Sequence, residues 1–579
     1  MKTLHETFFA VAQKQPSHPA LKIRVKKEWQ TLTYGEVAEK VRACAAALAA
    51  RGVGYGDRVA ILSENQPAWA ITDLAIMSLG AITVPIYPSL PAPQVAFILS
   101  NSGSKGILAG DEKLAARIAE ARQSAPTVEF VVEAGDDFEA FLTEGKAAPQ
   151  PSVTVGEDDV ASFVYTSGTT GDPKGAMLTH KNFLSNVHAA RQLLSEVGNQ
   201  LGHEDTWLSF LPLSHVFERM GGHFLPLCYG ATIGYSGGIR TLGEDMKTVA
   251  PTIMVCVPRV WEALQERMID GMAKMEPKQK AAFEKTLEVG KAWVEGKRSP
   301  ILWIQKLIFS RLVLPKVQER FGGRVRFWVS GGAALNPEVA KFFAALGIEI
   351  LEGYGMTESA PVIAVNRPGK VRIGTVGPCI PGGEIKIAPD GEICFRGANV
   401  MKGYWNNETA TKEMIDTEGW LHTGDIGKLD SEGYLKITDR KKDIIVLANG
   451  KNVAPQPIEA ALKQSPLISE IVLIGDKQSV VTALVIPNKE KLKTWAESAG
   501  LTFASDDELF QSAETKKKLK AEIDAQSGAL AEFERVKKFA VLNTQFTVDS
   551  GELTPSLKVK RKVVLQKYAA QVAEMRGNE

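Results

Sequence analysis

The sequence predicts an α/β protein whose sheets are parallel and covered by helices. Three observations carry this. Helical hydrophobic patterns alternate with short β runs, the order that winds a parallel sheet under helices. Several of those runs end in glycine turns, as in Phe327-Trp-Val-Ser-Gly-Gly332 and Ile348-Glu-Ile-Leu-Glu-Gly-Tyr-Gly355, and α/β proteins bind ligands at the carboxyl ends of strands. The longest apolar stretch, around residues 68–86, is interrupted by Asp73 and Pro85, so it does not supply the about 20 apolar residues that a bilayer span requires.

The elements follow in order. Thr33-Tyr-Gly-Glu36 is a capping box, in which each end satisfies an orphan amide of the other. The helix it opens places Val37, Val41, Cys44, Ala45 and Leu48 on one face and has Gly52 past its end. Arg58–Leu62 reads as a strand, and short β runs recur at Leu108, Val131, Phe163-Val164-Tyr165 and Ile233. Residues 260–327 are rich in helix formers. Within them Ile301–Leu314 is apolar nearly all round, with Lys306 and Arg311. Burial in the fold is its expected reading, and shallow contact with a bilayer is the alternative. Past residue 440, Ile471–Ile474 and Val480–Ile486 read as strands, and Lys516–Lys520 as a solvated helix face.

By length alone, 579 residues suggest about four domains, although large α/β enzymes use fewer. The 68 Lys and Arg against 67 Asp and Glu leave a net charge of +1, so nothing points to nucleic acid as a partner. Cys44, Cys228, Cys256, Cys379 and Cys394 are scattered, odd in number and without metal-ligand spacing, which reads as reduced core cysteines. The first residues carry Glu6 and no apolar signal core. The expectation is a cytoplasmic protein, with membrane contact limited to the inner face.

The most informative stretch runs from Tyr165 to Gly175. Ser167, Thr169 and Thr170 stand among Gly168, Gly171 and Gly175, with Lys174 close behind. Backbone amides, hydroxyls and an ammonium in one loop suit a polyphosphate. A Walker loop is excluded, because every Gly-Lys pair in the chain lacks the Ser or Thr that should follow. A dinucleotide fingerprint is excluded too, because Gly353-Tyr-Gly355 continues to Glu358 where a glycine is required.

Tyr-Thr-Ser-Gly-Thr-Thr-Gly-Asp-Pro-Lys-Gly resembles the phosphate loop of the adenylate-forming (AMP-binding) superfamily: acyl-CoA synthetases, luciferases and adenylation domains. Further motifs stand in the family's order along nearly the whole chain. The resemblance implies that Thr166, Ser167, Gly168, Thr169, Thr170 and Lys174 hold the ATP phosphates. Gly331, Gly332 and Ala333 would cradle adenine, with Tyr354 stacked on the base beside Gly355, and Thr357 at the α-phosphate. Glu358, with Thr166, would hold Mg2+, which takes hard oxygen ligands. Asp425 in Trp420-Leu-His-Thr-Gly-Asp would bind the ribose hydroxyls, and Arg440 the nucleotide. Asp439 matches the hinge between two domains. The loop 447–453, with Gly450, matches the segment that enters the site for the second half-reaction. Lys558 matches the catalytic lysine, although Lys560, Arg561 and Lys562 crowd it.

Leu211-Pro-Leu-Ser-His-Val-Phe-Glu-Arg219 is closest to long-chain fatty acyl-CoA synthetases. It implies that His215 borders the carboxylate end of the acyl pocket and that Gly221 and Gly222 leave room for the chain; plain core packing is the alternative. The implied architecture is a large N-terminal domain of helix-covered sheets, residues 1–438, and a small mobile α+β C-terminal domain, residues 439–579. The implied reaction joins a fatty acid to ATP, giving acyl-AMP and pyrophosphate, and then passes the acyl group to CoA, with Thr166, Glu358 and Lys558 in the chemistry. Two rivals share these motifs: an acyl-AMP ligase that loads a carrier protein, and a nucleotide-binding regulator without turnover. Retention of both Glu358 and Lys558 speaks against the regulator.

Overall fold

The computed structural model describes residues 2–26, 28–166, 173–238, 240–528, 530–548, 550–554 and 558–576. Ser167, Gly168, Thr169 and Thr170 of the phosphate loop lie outside the described residues.

The expected alternation of strands and helices builds two large sheets. In the eight-stranded sheet the order is Val362–Val365, Ile350–Gly355, Phe327–Ser330, Ile253–Cys256, Thr206–Ser209, Thr232–Tyr235, Pro19–Val25 and Glu28–Thr33. The six inner strands run parallel, and the two outermost are antiparallel to their neighbours. The seven-stranded sheet has the order Gly403–Tyr404, Lys174–Thr179, Val160–Thr166, Ile82–Ile86, Arg58–Leu62, Gly106–Ala109 and Phe130–Glu133. From Val160–Thr166 onward its strands are parallel and, apart from the half-buried edge strand Phe130–Glu133, nearly all buried, which is why they read as apolar runs without alternation. Gly383–Ile387, Glu392–Gly397, Leu421–Leu429 and Leu435–Arg440 form a four-stranded antiparallel sheet.

Local signals act where the sequence places them. Thr33 caps helix Tyr34–Ala50 by accepting the Glu36 amide, and the Glu36 carboxylate returns to the Thr33 amide at 2.7 Å. That helix buries Val37, Val41, Cys44, Ala45 and Leu48, and Gly52 follows with φ +77. The five cysteines are free; four are buried and Cys379 is half-buried.

After residue 444 a separate core forms. Ile468–Ile474, Val481–Pro487 and Val536–Val541 make a three-stranded sheet whose two faces carry separate apolar clusters drawn from residues 445–575. Helix Ala513–Gln526 turns Lys516, Lys517 and Lys520 to solvent.

One expectation is overturned. The apolar segment after residue 300 is not buried. None of the described side chains of helix Pro300–Leu312 is fully buried, and Ile301, Trp303, Ile304, Leu307 and Ile308 are exposed. It packs against helices Pro277–Val294 and Leu314–Glu319, and the exposed side chains form a wide face with little cover among the described residues. No described helix is long and apolar enough to cross a membrane.

Candidate active site

The two large sheets, the antiparallel sheet and the C-terminal part meet at one cleft of about 3240 Å³. Pockets for drug-sized ligands measure about 300–1,000 Å³, so this one has room for a nucleotide and a second substrate. Thr166, Lys174, His215, Gly331, Gly332, Ala333, Tyr354, Gly355, Thr357, Glu358, Asp425, Asp439, Arg440 and Lys558 all line it. Thr166, Gly331 and Tyr354 converge because parallel strands present their carboxyl ends on one side, and the antiparallel sheet and the C-terminal part bring Asp425, Arg440 and Lys558 to the same place.

Thr166 ends strand Val160–Thr166, and Lys174 opens the antiparallel return strand, with the two residues paired in register. The pairing fixes the mouth of the phosphate loop. The Lys174 ammonium lies 5.4 Å from the centre of the Tyr404 ring. Strand Phe327–Ser330 delivers Gly331, where a Cβ would come within 2.9 Å of the Phe217 ring. A Cβ at Gly355 would lie 1.9 Å from the Pro361 carbonyl oxygen, so backbone against backbone demands glycine there.

Tyr354 donates its hydroxyl to Asp425 Oδ2 at 2.6 Å, and Arg440 Nε lies 3.2 Å from Asp425 Oδ1. Asp425 and Arg440 face each other across neighbouring antiparallel strands. An ionised carboxylate offers about four acceptor directions, so Asp425 keeps acceptors for a ligand's hydroxyls. Glu358 is buried, and its Oε1 accepts the Tyr404 hydroxyl at 2.5 Å. Burial raises its pKa, the hydrogen bond from Tyr404 lowers it, and Arg440 and Lys174 lower it further. Its second oxygen and the charge of its ionised form suit Mg2+, which binds through one or two carboxylates and substrate phosphates.

Lys558 enters from the C-terminal part. The protein around it lowers its pKa to about 8; Arg440 adds to that shift, and Asp425 and Glu358 oppose it. Its side chain remains open to the water of the cleft. His215 lines the same cleft, and burial, with a smaller contribution from Lys558, lowers its pKa to about 4. Its Nδ1 accepts the Phe217 amide at 3.1 Å, so the neutral ring carries its proton on Nε2 and offers that N–H as a donor.

Three sequence-predicted residues stand apart. Gly221 and Gly222 lie buried in the π-helical turn Arg219–Phe224 and do not line the cleft. A Cβ on Gly222 would lie 2.2 Å from Glu218 Oε1, and one on Gly221 would lie 3.1 Å from Val255 Cγ2. Their small size therefore answers to protein neighbours. Gly450 sits in a turn with φ +78, and none of residues 447–453 lines the cleft, although Ala454 does.

The sequence reading also missed Tyr404, which no spacing or motif singled out, and Glu218, whose signal was a charge inside an apolar run.

A profile of AMP-binding enzymes matches residues 8–405, and one of the AMP-binding enzyme C-terminal domain matches residues 442–578. The chain belongs to the AMP-binding enzyme family. It is 36% identical to the long-chain-fatty-acid–CoA ligase FadD15 of Mycobacterium tuberculosis over 95% of this chain and 93% of that one. It is 31% identical to the peroxisomal long chain acyl-CoA synthetase 7 of Arabidopsis thaliana over 99% and 86%. Among solved structures, the adenylation domain of a carboxylate reductase from Mycobacterium chelonae shares the fold with TM-score 0.78 at 24% identity, over 99% of this chain and 91% of that one. ATP-bound MatB from Rhodopseudomonas palustris does so with TM-score 0.72 at 24% identity, over 97% and 99%.

In this AMP-binding enzyme, ion pairs hold the C-terminal part against the rest. Arg259 reaches Glu470 at 3.0 Å, and Glu470 also takes Lys463 at 2.9 Å; Lys491 lies 3.2 Å from Glu266. Glu392, Cys394 and His422 bring potential metal donors within 4.8 Å of one another. Lys441, 3.0 Å from Glu392 and 2.6 Å from Asp390, already supplies positive charge there.

Behind His215 the same segment is anchored by Arg219, which pairs with Asp73 at 2.5 Å and donates to Ser162 at 2.6 Å in full burial. Next to it, Glu218 is buried and neither carboxyl oxygen has a well-aligned partner among the described residues. Burial pushes its pKa up to about 8, against a smaller opposing effect of the Ser209 hydroxyl. The folded protein thus holds a proton on Glu218 that the unfolded chain releases above about 4.5, and that contribution to stability is lost as pH rises toward 8. Glu218→Gln, which cannot ionise, is expected to flatten the fall in melting temperature between pH 5 and 8.5. A variant whose slope matches the wild type would show that Glu218 does not carry this proton.

Proposed function

We propose that this chain activates a long-chain fatty acid with ATP, forming acyl-AMP and pyrophosphate, and transfers the acyl group to CoA. The observation that carries the reading is the position of Lys558. A lysine from the C-terminal part stands in the cleft among Glu358, Asp425 and Arg440, with His215 on the same wall. Attack of a carboxylate on the α-phosphorus brings two anions together, so the first step is limited by charge and alignment.

This chain's residues meet both demands. Lys174 and the phosphate loop bind the outer phosphates, and Asp425 with Tyr354 orients the nucleoside. The Lys558 ammonium sits where negative charge grows as the new P–O bond forms. The His215 Nε2–H is a donor for the oxygen of the acyl carboxylate. Glu358 would hold Mg2+, which would neutralise phosphate charge there. In the second step the CoA thiol attacks the carbonyl of acyl-AMP and AMP leaves, with residues 447–453 brought in by rotation of the C-terminal domain about Asp439.

The test is carboxylate-dependent exchange of labelled pyrophosphate into ATP over acids of two to twenty carbons, with and without CoA. The expected result is exchange that is strongest with long chains and net thioester only when CoA is added. Exchange without thioester would move the chain to the acyl-AMP ligases that load a carrier protein, and no exchange with any acid would end the adenylating reading.

A further inference from the structure

Five of the eleven large apolar side chains exposed among the described residues belong to the single helix Pro300–Leu312. Ile301 is 70% exposed, Trp303 56%, Ile304 50%, Leu307 40% and Ile308 48%. Their spacing of three, four and seven residues gathers them on one wide face. The helix is well made: Ser299 accepts the Leu302 amide at 3.1 Å, and Pro300 occupies the first turn. Its apolar face is therefore a property of an ordered element.

The surroundings are basic. From residue 291 to 324 the chain carries Lys291, Lys297, Arg298, Lys306, Arg311, Lys316, Arg320 and Arg324 against Glu295 and Glu319 alone, whereas the whole chain nets +1. Arg298 and Lys306 each lie 4.0 Å from the Trp293 ring centre, gripping it from both charges. Arg311 is exposed in the helix's last turn. Aromatic and aliphatic side chains on one face, with Lys306 and Arg311 on the same helix and Arg298 sharing the Trp293 ring with Lys306, suit the boundary between acyl chains and anionic headgroups. A second copy of the chain fits poorly, because a symmetric contact through this face would set the same cations against each other.

We propose that helix Pro300–Leu312 docks this protein on anionic lipid bilayers, lying in the interface with Trp303, Ile304, Leu307 and Ile308 inserted. A 13-residue helix is about 20 Å long at 1.5 Å per residue, which suits a helix lying in the plane and is too short to span. The inference deepens the proposed function only by naming the surface on which a lipid substrate is met. Its test requires no turnover.

The full chain, without ATP or CoA, is floated with vesicles of phosphatidylcholine alone or with about one-third phosphatidylglycerol. Wild-type protein is expected to float with the anionic vesicles, to be released as salt is raised from 0.05 to 0.5 M, and to show Trp fluorescence quenched by brominated acyl chains. Ile304→Glu combined with Ile308→Glu is expected to weaken vesicle binding at least about tenfold, with the circular-dichroism melt and the activity on detergent-dispersed acid unchanged. Trp303→Phe is expected to keep binding and lose most of the quenching. Wild-type protein that stays at the bottom with both vesicles overturns the proposal, as does a double variant that floats like the wild type. So does a wild-type dimer in light scattering that the double variant converts to monomer without any lipid binding, which would assign the face to a second copy. Pyrophosphate exchange measured on the same preparations reports separately on the enzymatic reading.

Discussion

Lys558→Ala is expected to slow acyl-AMP formation by roughly 100- to 1,000-fold, the usual cost of removing one charge-stabilising donor from a transition state. It is expected to leave transfer to CoA from supplied acyl-AMP within a few-fold of wild type. The asymmetry follows from where the charge builds up. The first step gathers carboxylate and phosphates beside the ammonium, and the second begins from an already activated mixed anhydride. The group also has its own pH signature. Its pKa in the unliganded cleft is lowered to about 8, so the ammonium is present below that pH and lost above it. The kcat/KM of adenylation, which reports on the free enzyme, should fall as pH passes 8. The kcat limb should lie higher, because bound phosphates favour the charged form. Rapid-quench measurement of each half-reaction across pH 6.5–10 checks both statements. Equal loss of both half-reactions in Lys558→Ala would remove the residue from this role.

Asp439→Pro should separate the half-reactions in the opposite sense. Asp439 lies in strand Leu435–Arg440, its Oδ1 accepting the Arg440 amide at 2.6 Å and its side chain buried. Lys558 lines the cleft and residues 447–453 do not, so under the proposed roles this arrangement serves the first half-reaction. Bringing the second segment to the acyl carbonyl requires the C-terminal domain to turn, a change that a hinge absorbs in a few dihedrals. Proline fixes φ near about −65° and restricts Thr438 as well. Pyrophosphate exchange is expected to persist, while thioester formation from acyl-AMP falls on the order of 100-fold or more. Asp439→Ala, which loses the carboxylate but keeps the dihedral freedom, should retain far more of the second step. Overall CoA ligation at the wild-type rate in Asp439→Pro would show that no such rotation is needed.

What could be read locally and what could not divide along one physical line. Thr166, Lys174, Tyr354–Glu358 and Asp425 could be singled out because their motifs keep particular residue types at fixed spacing beside a strand end, and the fold brings them to one cleft. The capping box at Thr33 and Glu36 was legible because its two bonds close within four residues. The role of Tyr404 was not, since its hydroxyl meets Glu358 across 46 positions of sequence and no local rule links them. Gly221 and Gly222 were assigned to the acyl chain because small residues signal space, but sequence does not say whose space it is. Here Glu218 and Val255 fill it.

The sequence by itself determined the α/β class, the family and the order of its motifs, because these depend on local hydrogen bonding, periodicity and chemical type. Only the tertiary structure decided that Lys558 stands inside the cleft, that Glu218 is buried without a well-aligned partner among the described residues, and that helix Pro300–Leu312 turns its apolar face outward. Each of these depends on what lies opposite a side chain in space, and an apolar helix reads the same in sequence whether a neighbouring helix or water faces it.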